Sequence, residues 1–368
     1  MKIIVKSPGR INLIGEHTDY NGGYVLPCAL NLSIEFSIEK KSKDSFVKTD
    51  LGYSMNFNVN SPFVKSPVHW ENYVLGVVNE LKQIKKNLTN FSCEIKSSLP
   101  SGAGISSSSA LVCGLIKGLS ALNNLSLDNT EVIEISRNVE HKYIGLLGGI
   151  MDQYTILNAK KNKAILLNCD NLKTEFIDID FGQYEILLFD TNVKHNLANT
   201  EYNIRVNECH QALEIINTSN KKQYKNLSQA SIDEINKAKN DLNENQYKRS
   251  VFVFEENQRT IKSAQLISKN NLIEFGKLMY QSHEGLKEKY EVSCKELDFL
   301  VEQTKLFDGI LGSRMMGGGF GGCTVNLIRN EGLDDVVTKI KKKYRANFGI
   351  DLNAIIAKPG SGIKINKL

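Results

Sequence analysis

The chain has 368 residues, 41% of them apolar and 24% charged, a globular composition that excludes a fibrous or disordered protein and suits two or three domains. A net charge of +5 is spread over 46 basic and 41 acidic residues, so runs such as Lys221-Lys222 and Lys341-Lys342-Lys343 read as solvated faces and no nucleic-acid partner is expected. No apolar stretch reaches the roughly 20 residues that span a bilayer, and seven scattered cysteines without a Cys-x-x-Cys pair point to reduced thiols, hence a cytoplasmic protein without a membrane partner.

Met1 to Pro8 reads as a strand and a turn, too short for a signal-peptide core. In the alternating segment that follows, Arg10 and Asn12 share one face and Ile11 and Leu13 the other. Glu16, His17 and Asp19 then arrive within a few positions, and Asn21-Gly22-Gly23 turns the chain back toward the apolar Tyr24-Val25-Leu26. Asn-Gly supplies the positive φ angles of a tight turn, which places the polar cluster at a loop tip between strands. Two carboxylates and an imidazole beside an arginine can exchange hydrogen bonds with many hydroxyls at once, as a sugar site must. A solvated loop with ion pairs is the bland alternative.

Residues 32–40 alternate like a strand. A helix is expected over 70–84, with Val74, Val77, Val78, Leu81 and Ile84 on one stripe. A strand over 91–95 feeds the glycine- and serine-rich turn 101–109. The next helix should turn Val112, Leu115, Ile116, Leu119 and Leu122 to the core. Joined to a helix N-terminus, Gly102 and Gly104 let backbone approach an anion, the following amides point along the positive end of the helix dipole, and serine hydroxyls add donors. Neither the P-loop lysine pattern nor the dinucleotide fingerprint is present; a flexible connection is the alternative. Asp128 and Glu131 form a capping-box pattern that opens another helix with the stripe Val132, Ile135, Val139 and Tyr143. Glu140 lies at its end, and Asp152 follows a glycine-rich bend. Beside Arg10 and a phosphate loop, both carboxylates are candidates for proton transfer and metal binding.

The second half opens with the strand 184–190, and we place the domain boundary near residue 180. Helices dominate 201–304, with the Lys- and Asn-rich stretch 219–245 either surface helix or loop. A glycine-rich turn, a strand over 323–328, a helix over 333–344 and a strand over 353–357 complete the chain. The six histidines show no metal-ligand spacing.

The string from Gly9 to Tyr24 closely resembles the signature of galactokinases in the GHMP small-molecule kinase superfamily. Leu99 to Leu111 resembles that superfamily's phosphate motif, a proline and alternating glycines leading into a serine run. After three serines galactokinases usually carry Ala-Ser or Ala-Ala; this chain has Ser109-Ala110-Leu111-Val112. Glu140-His141 and Gly149-Ile150-Met151-Asp152-Gln153 also match, with Gly148 where a larger residue is more common. So do His195 to Arg205, Trp70 to Tyr73, Tyr290 to Asp298, and Gly312 to Cys323, where Met316 replaces a common threonine.

The resemblance implies an α/β (α+β) two-domain GHMP kinase fold. Residues 1–180 would form the ribosomal-protein-S5-domain-2-like N-terminal domain and 181–368 the ferredoxin-like C-terminal domain, with the active site in the cleft between them. It implies transfer of the γ-phosphoryl of MgATP to the anomeric hydroxyl of D-galactose, in a monomer or weak homo-oligomer. Asp152 and Arg10 carry over as catalytic residues. Glu16, His17, Thr18, Asp19, Gly149 and Tyr202 carry over as sugar-binding residues. Gly102, Ala103, Gly104, Ile105, Ser106, Ser107 and Ser108 would bind nucleotide, with Trp70 packing on adenine or serving only as a core anchor. Ser108 and Glu140 would hold Mg²⁺. The rivals are a sugar kinase for N-acetylgalactosamine or another sugar and a non-catalytic galactose sensor; a mevalonate- or homoserine-type kinase would not need the sugar cluster.

Overall fold

An alternating, largely buried strand, β1 (Lys2–Asn12), opens the chain, and the first half is built around it. In this computed structural model, which describes residues 1–100, 102–193 and 198–368, it is followed by β2 (Tyr24–Val25), β3 (Pro27–Lys40), β4 (Ser45–Thr49), β5 (Ser54–Phe57), α1 (Glu71–Ile84) and β6 (Phe91–Ser97). Next come α2 (Ser107–Leu122), α3 (Asn129–Asn138), a π-helical turn (Val139–Ile144), α4 (Met151–Asn158), β7 (Lys163–Asn168) and β8 (Thr174–Asp178). The second half comprises β9 (Tyr184–Asp190), α5 (Ala198–Asn220), α6 (Ile232–Lys237), α7 (Glu244–Ser268), α8 (Leu272–Glu288) and α9 (Lys295–Thr304). It ends with β10 (Ile310–Met316), β11 (Cys323–Arg329), α10 (Leu333–Phe348), β12 (Asn353–Ala357) and β13 (Lys364–Lys367).

Local chemistry accounts for the helices that carry the site. The expected stripe of α2 is buried from Val112 to Leu122, and the helix lies across β1 and β3. Asp128 and Glu131 form the capping box reciprocally: the Glu131 amide donates to the Asp128 carboxylate at 2.9 Å, and the Asp128 amide to the Glu131 carboxylate at 2.8 Å. Past α3 the backbone widens into the π turn that carries Glu140, a distortion often found at functional sites.

Three sheets organise the molecule. The first has the order β13-β1-β3-β6-β4-β5, the second β10-β11-β9-β12 and the third β2-β7-β8. Among the described residues all strand pairings are antiparallel except that of β4 with β6. Counted within the second half, the second sheet runs 2-3-1-4, which read from its other edge is the ferredoxin-like order 4-1-3-2. One apolar core continues across the halves, joining Ile11, Phe36 and Leu115 to Leu188, Phe275 and Val325.

Four expectations change. β1 continues through Pro8 to Asn12, with a register shift against β3 between Pro8 and Arg10. The expected second domain does not keep to itself, since β13 pairs with β1 in the first sheet. The segment before the glycine run is strand β10, and a Cβ on Gly312 would lie 2.5 Å from the Gly276 Cα of α8. The stretch 219–245 holds a 3-10 turn and α6, with Leu227, Ile235 and Ala238 buried.

Candidate active site

A cleft of about 270 Å³ opens where the loop after β1, the N-terminus of α2, the start of α4, the N-terminal part of α5 and the turn after β10 converge. Arg10, Glu16, His17, Asp19, residues 104–109, Glu140, Gly148, Gly149, Asp152, Gln153, Tyr202 and residues 317–319 all line it. These side chains are separated by up to about 300 positions in the chain, and the fold collects them on one surface.

The polar loop after β1 is not a solvated tip. Glu16 is 2% exposed, His17 4% and Thr18 0%. Gly22 alone of the Asn-Gly pair takes a positive φ, at 70°, and a 3-10 turn covers Asp19–Asn21. The loop is held from the distant half. Its Gly15 amide donates to Glu256 at 3.0 Å, and the Tyr24 amide to Asn257 at 2.6 Å. Arg314, fully buried on β10, donates to the carbonyls of Leu13 and Asn12 and to Glu16 at 3.1 Å. The Gly317 amide donates to the same Glu16 oxygen at 3.0 Å, which leaves the other oxygen for a ligand. Thr18 spends its hydroxyl on the carbonyls of Gly15 and Tyr24, so it shapes the loop and does not line the cleft.

Asp152 stands in the first turn of α4, where the helix dipole favours a carboxylate. Arg10 Nε donates to its Oδ1 at 2.7 Å, and Ser106 Oγ to its Oδ2 at 2.5 Å. A second Arg10 nitrogen donates to the Gly104 carbonyl at 2.8 Å. Burial works against the Arg10 charge, but Asp152 and then Glu16 outweigh it and raise its pKa. Ser106, with a left-handed φ of 61° at the N-cap of α2, therefore serves the carboxylate. Ser107 and Ser108 follow at the helix mouth, whose first amides have no partner within the helix.

Glu140 is buried and tied by two donors, Ser109 Oγ at 2.8 Å and Gln153 Nε2 at 2.9 Å. Burial, then the neighbouring Asp152, pushes its pKa up to about 7. Asp19 is pushed up to about 6 by burial and then by Asp152. His17 goes the other way, to about 3, through burial and then Arg205. The cleft thus holds four carboxylates, of which Glu16 and Asp152 have cationic partners in Arg314 and Arg10, while Asp19 and Glu140 have none within ion-pair distance among the described residues. Glu140 and Ser108 both line the cleft and are the oxygen-bearing residues that could hold a hard divalent cation there, with water completing its shell.

Gly149 is set by close approach. A Cβ there would lie 2.2 Å from an Asp19 carboxylate oxygen, so glycine alone lets the two segments meet. Tyr202 stands over the loop after β1, its ring centre 5.3 Å from that of His17. Gly102, Ala103 and Trp70 do not line the cleft. Trp70 instead packs half-buried at the start of α1, 6.1 Å from the Tyr53 ring. Ser101 and His195 lie outside the described residues. The sequence reading passed over Ser109, Gln153 and Arg314. Ser109 and Gln153 flank predicted residues and could have been found by asking what neutral donors hold a buried carboxylate; Arg314 carried no such signal.

Comparison with known proteins shows the family of the chain. The GHMP kinases N terminal domain matches residues 72–160, the GHMP kinases C terminal domain residues 263–346, and the galactokinase galactose-binding signature residues 1–40. A galactokinase of Thermosipho africanus is 37% identical over 346 residues, 94% of this chain and 95% of the relative. The structure of Lactococcus lactis galactokinase complexed with galactose superposes with a TM-score of 0.91 at 33% identity, covering 99% of this chain and 95% of that one. A mevalonate kinase of Methanococcus jannaschii shares the fold at a TM-score of 0.68 and 21% identity, covering 97% of this chain and 98% of the other. With near-complete coverage at that identity, the galactokinase signature matched over the first 40 residues and both kinase domains matched, the chain belongs to the galactokinases of the GHMP kinase family.

Proposed function

We propose that the cleft phosphorylates the anomeric hydroxyl of D-galactose with ATP, with Asp152 and Arg10 as the catalytic pair. The observation that carries this assignment is Asp152 itself, held on both oxygens between the buried acidic loop and the serine-lined mouth of α2. The sugar lies against Glu16, His17, Asp19, Gly149 and Tyr202. The nucleotide phosphates lie at the mouth of α2, against Gly104, Ile105, Ser107 and the amides that follow.

Asp152 accepts the proton of the reacting hydroxyl on a lone pair left free by Arg10 and Ser106. The hydroxyl oxygen forms a bond to the γ-phosphorus as the bond to the bridging oxygen breaks, and ADP departs with the electron pair. Arg10 holds the Asp152 carboxylate in place through its Nε–H and faces the charge that spreads over the transferring group. Ser108 and Glu140 are the ligands we assign to Mg²⁺, which when bound neutralises phosphate charge. Ser109 and Gln153 fix the Glu140 carboxylate for that role.

We read the chain as two domains divided near residue 180, with the tail after β12 returning to the first. No helix among the described residues is long and apolar enough to cross a membrane. The seven cysteines are unpaired and five are buried, which supports a reducing, cytoplasmic setting; a monomer or weak homo-oligomer is the assembly we assign.

The test is ADP release measured across a panel of sugars. Galactose should give the highest kcat/KM, because a desolvated site built on carboxylates leaves polar groups unpaired when a hydroxyl is missing or inverted. A higher value for N-acetylgalactosamine or glucose would reassign the substrate, and galactose binding without turnover would make the protein a sensor. Glu140→Gln should raise the Mg²⁺ requirement and lower turnover while galactose binding stays nearly intact; an unchanged Mg²⁺ dependence would remove Glu140 from the metal site.

A further inference from the structure

Behind the sugar end of the cleft runs a buried hydrogen-bond chain. Tyr20 Oη lies 2.8 Å from His17 Nδ1 and 2.8 Å from Tyr290 Oη. Tyr290 Oη in turn lies 3.1 Å from Cys209 Sγ. Tyr290 and Cys209 are fully buried, and they belong to the second half, whereas His17 and Tyr20 belong to the loop after β1. The other nitrogen of His17, Nε2, is buried without a hydrogen-bond partner on a residue that lines the cleft.

Acid-base chemistry sets the direction of this chain. Burial, then Arg205, keeps the His17 ring neutral at physiological pH, so it has one N–H and one bare nitrogen. A bare imidazole nitrogen is a strong acceptor, and a phenol is a good donor but a poor acceptor, because its oxygen lone pair is delocalised into the ring. Tyr20 therefore donates to Nδ1, Tyr290 donates to Tyr20, and the weakly donating Cys209 thiol begins the series. The reverse direction would place an imidazole N–H on a phenol oxygen and end with a phenol proton on sulfur, a weak acceptor.

We propose that the chain Cys209–Tyr290–Tyr20–His17 holds His17 as its Nε2–H tautomer, an obligate hydrogen-bond donor to the sugar, with Tyr20 and Tyr290 as positioning residues for sugar selectivity. This rests on His17 being a sugar contact. The hydroxyl that faces Nε2–H is used as an acceptor, so its own proton is free to go to a carboxylate of the same loop. One hydroxyl is then read in both senses. Because the chain joins the two halves, the tautomer is defined only when they are docked.

The test uses the full-length protein labelled with ¹⁵N-histidine, with His17 assigned by the signals lost in His17→Gln. In the free wild-type enzyme His17 should show a protonated Nε2 and a bare Nδ1, and a protonated Nδ1 overturns the proposal whatever the enzyme phosphorylates. Tyr20→Phe should populate the other tautomer and raise the galactose KM about tenfold, with kcat within about threefold, the effect of losing one oriented hydrogen bond. Tyr290→Phe, which leaves Tyr20 able to donate, should shift KM the same way by about threefold. A folded Tyr20→Phe protein with wild-type KM overturns the positioning role. Galactose binding by calorimetry keeps the readings apart: an Nε2–H tautomer in a protein that binds no galactose overturns the sugar reading and leaves the tautomer standing.

Discussion

Asp152 accepts a guanidinium N–H on one oxygen and a serine hydroxyl on the other, so removing its charge alters the proposed reacting centre more than the packing. Asp152→Asn should lower kcat by about 10²–10⁴-fold, the usual worth of a positioned base, with ATP binding and fold retained. Combined with Arg10→Ala, the loss should fall far short of the product of the single losses, because coupled groups are not additive. If the two formed only a structural ion pair, the folded fraction of Asp152→Asn would keep its turnover; single-turnover rates and folded fraction on one preparation decide. Asp19 gives a second prediction. Its folded pKa is raised from 3.8 to about 6 by burial and Asp152, so the fold prefers the protonated form. The associated stability is complete below about pH 3.8 and is lost as pH rises through about 6. Asp19→Asn should therefore be more stable than wild type at about pH 8, by at most roughly 3 kcal/mol, and nearly equal to it at about pH 4. Galactose binding by the wild type should weaken as pH falls through about 6. Denaturant titrations at the two pH values check the sign, and a wild-type advantage at high pH would refute the assignment.

Helix α2 carries the serine mouth, and its position depends on how closely it lies on the first sheet. A Cβ on Gly114 would stand 2.2 Å from the Phe36 ring of β3, and one on Gly118 2.4 Å from Ile38. Alanine favours helix by about 1 kcal/mol over glycine, yet Gly114→Ala should be destabilising by about 1–3 kcal/mol through overpacking. It should also weaken ATP more than galactose, because displacing α2 moves the end of the cleft proposed for the phosphates first. Thermal melting and separate KM values for the two substrates test this. Periodicity predicted the buried stripe of α2 and the capping box before α3, since both are local consequences of sequence spacing. It did not predict β10, where Gly312 and the glycines that follow look like a turn until α8 is brought against them.

At the scale of the molecule, the two halves are fastened by Arg314 and Glu16, buried on either side of their junction. Arg314→Met leaves the Glu16 carboxylate buried without its cation, which commonly costs about 3–5 kcal/mol. The double variant Arg314→Met with Glu16→Gln should recover part of that stability without restoring galactose affinity. Denaturant unfolding and calorimetric galactose binding on the same proteins separate the two, and full rescue of affinity would show that Glu16 only fastens the halves.

The sequence by itself determined the family, through the resemblance of its motifs. It determined α1, α2, α3, α10 and the strands β1, β3, β6, β9, β11 and β12, because these elements depend on spacing within a few turns or strand residues; β4, β5, β7, β8, β10 and α4 were not legible in it. It also marked Arg10, Asp19, Glu140 and Asp152 as candidates. Only the tertiary structure decided what each donates to or accepts from. Ser106 holds Asp152 and Ser109 holds Glu140 because α2 meets α4 and the π turn at one point. Thr18 turns inward because the loop after β1 is buried under α7 and β10. The last strand returns to β1 because an open sheet edge there can take it. Each of these outcomes rests on contacts between segments far apart in the chain, and local spacing carries no information about which distant group will satisfy a buried polar atom.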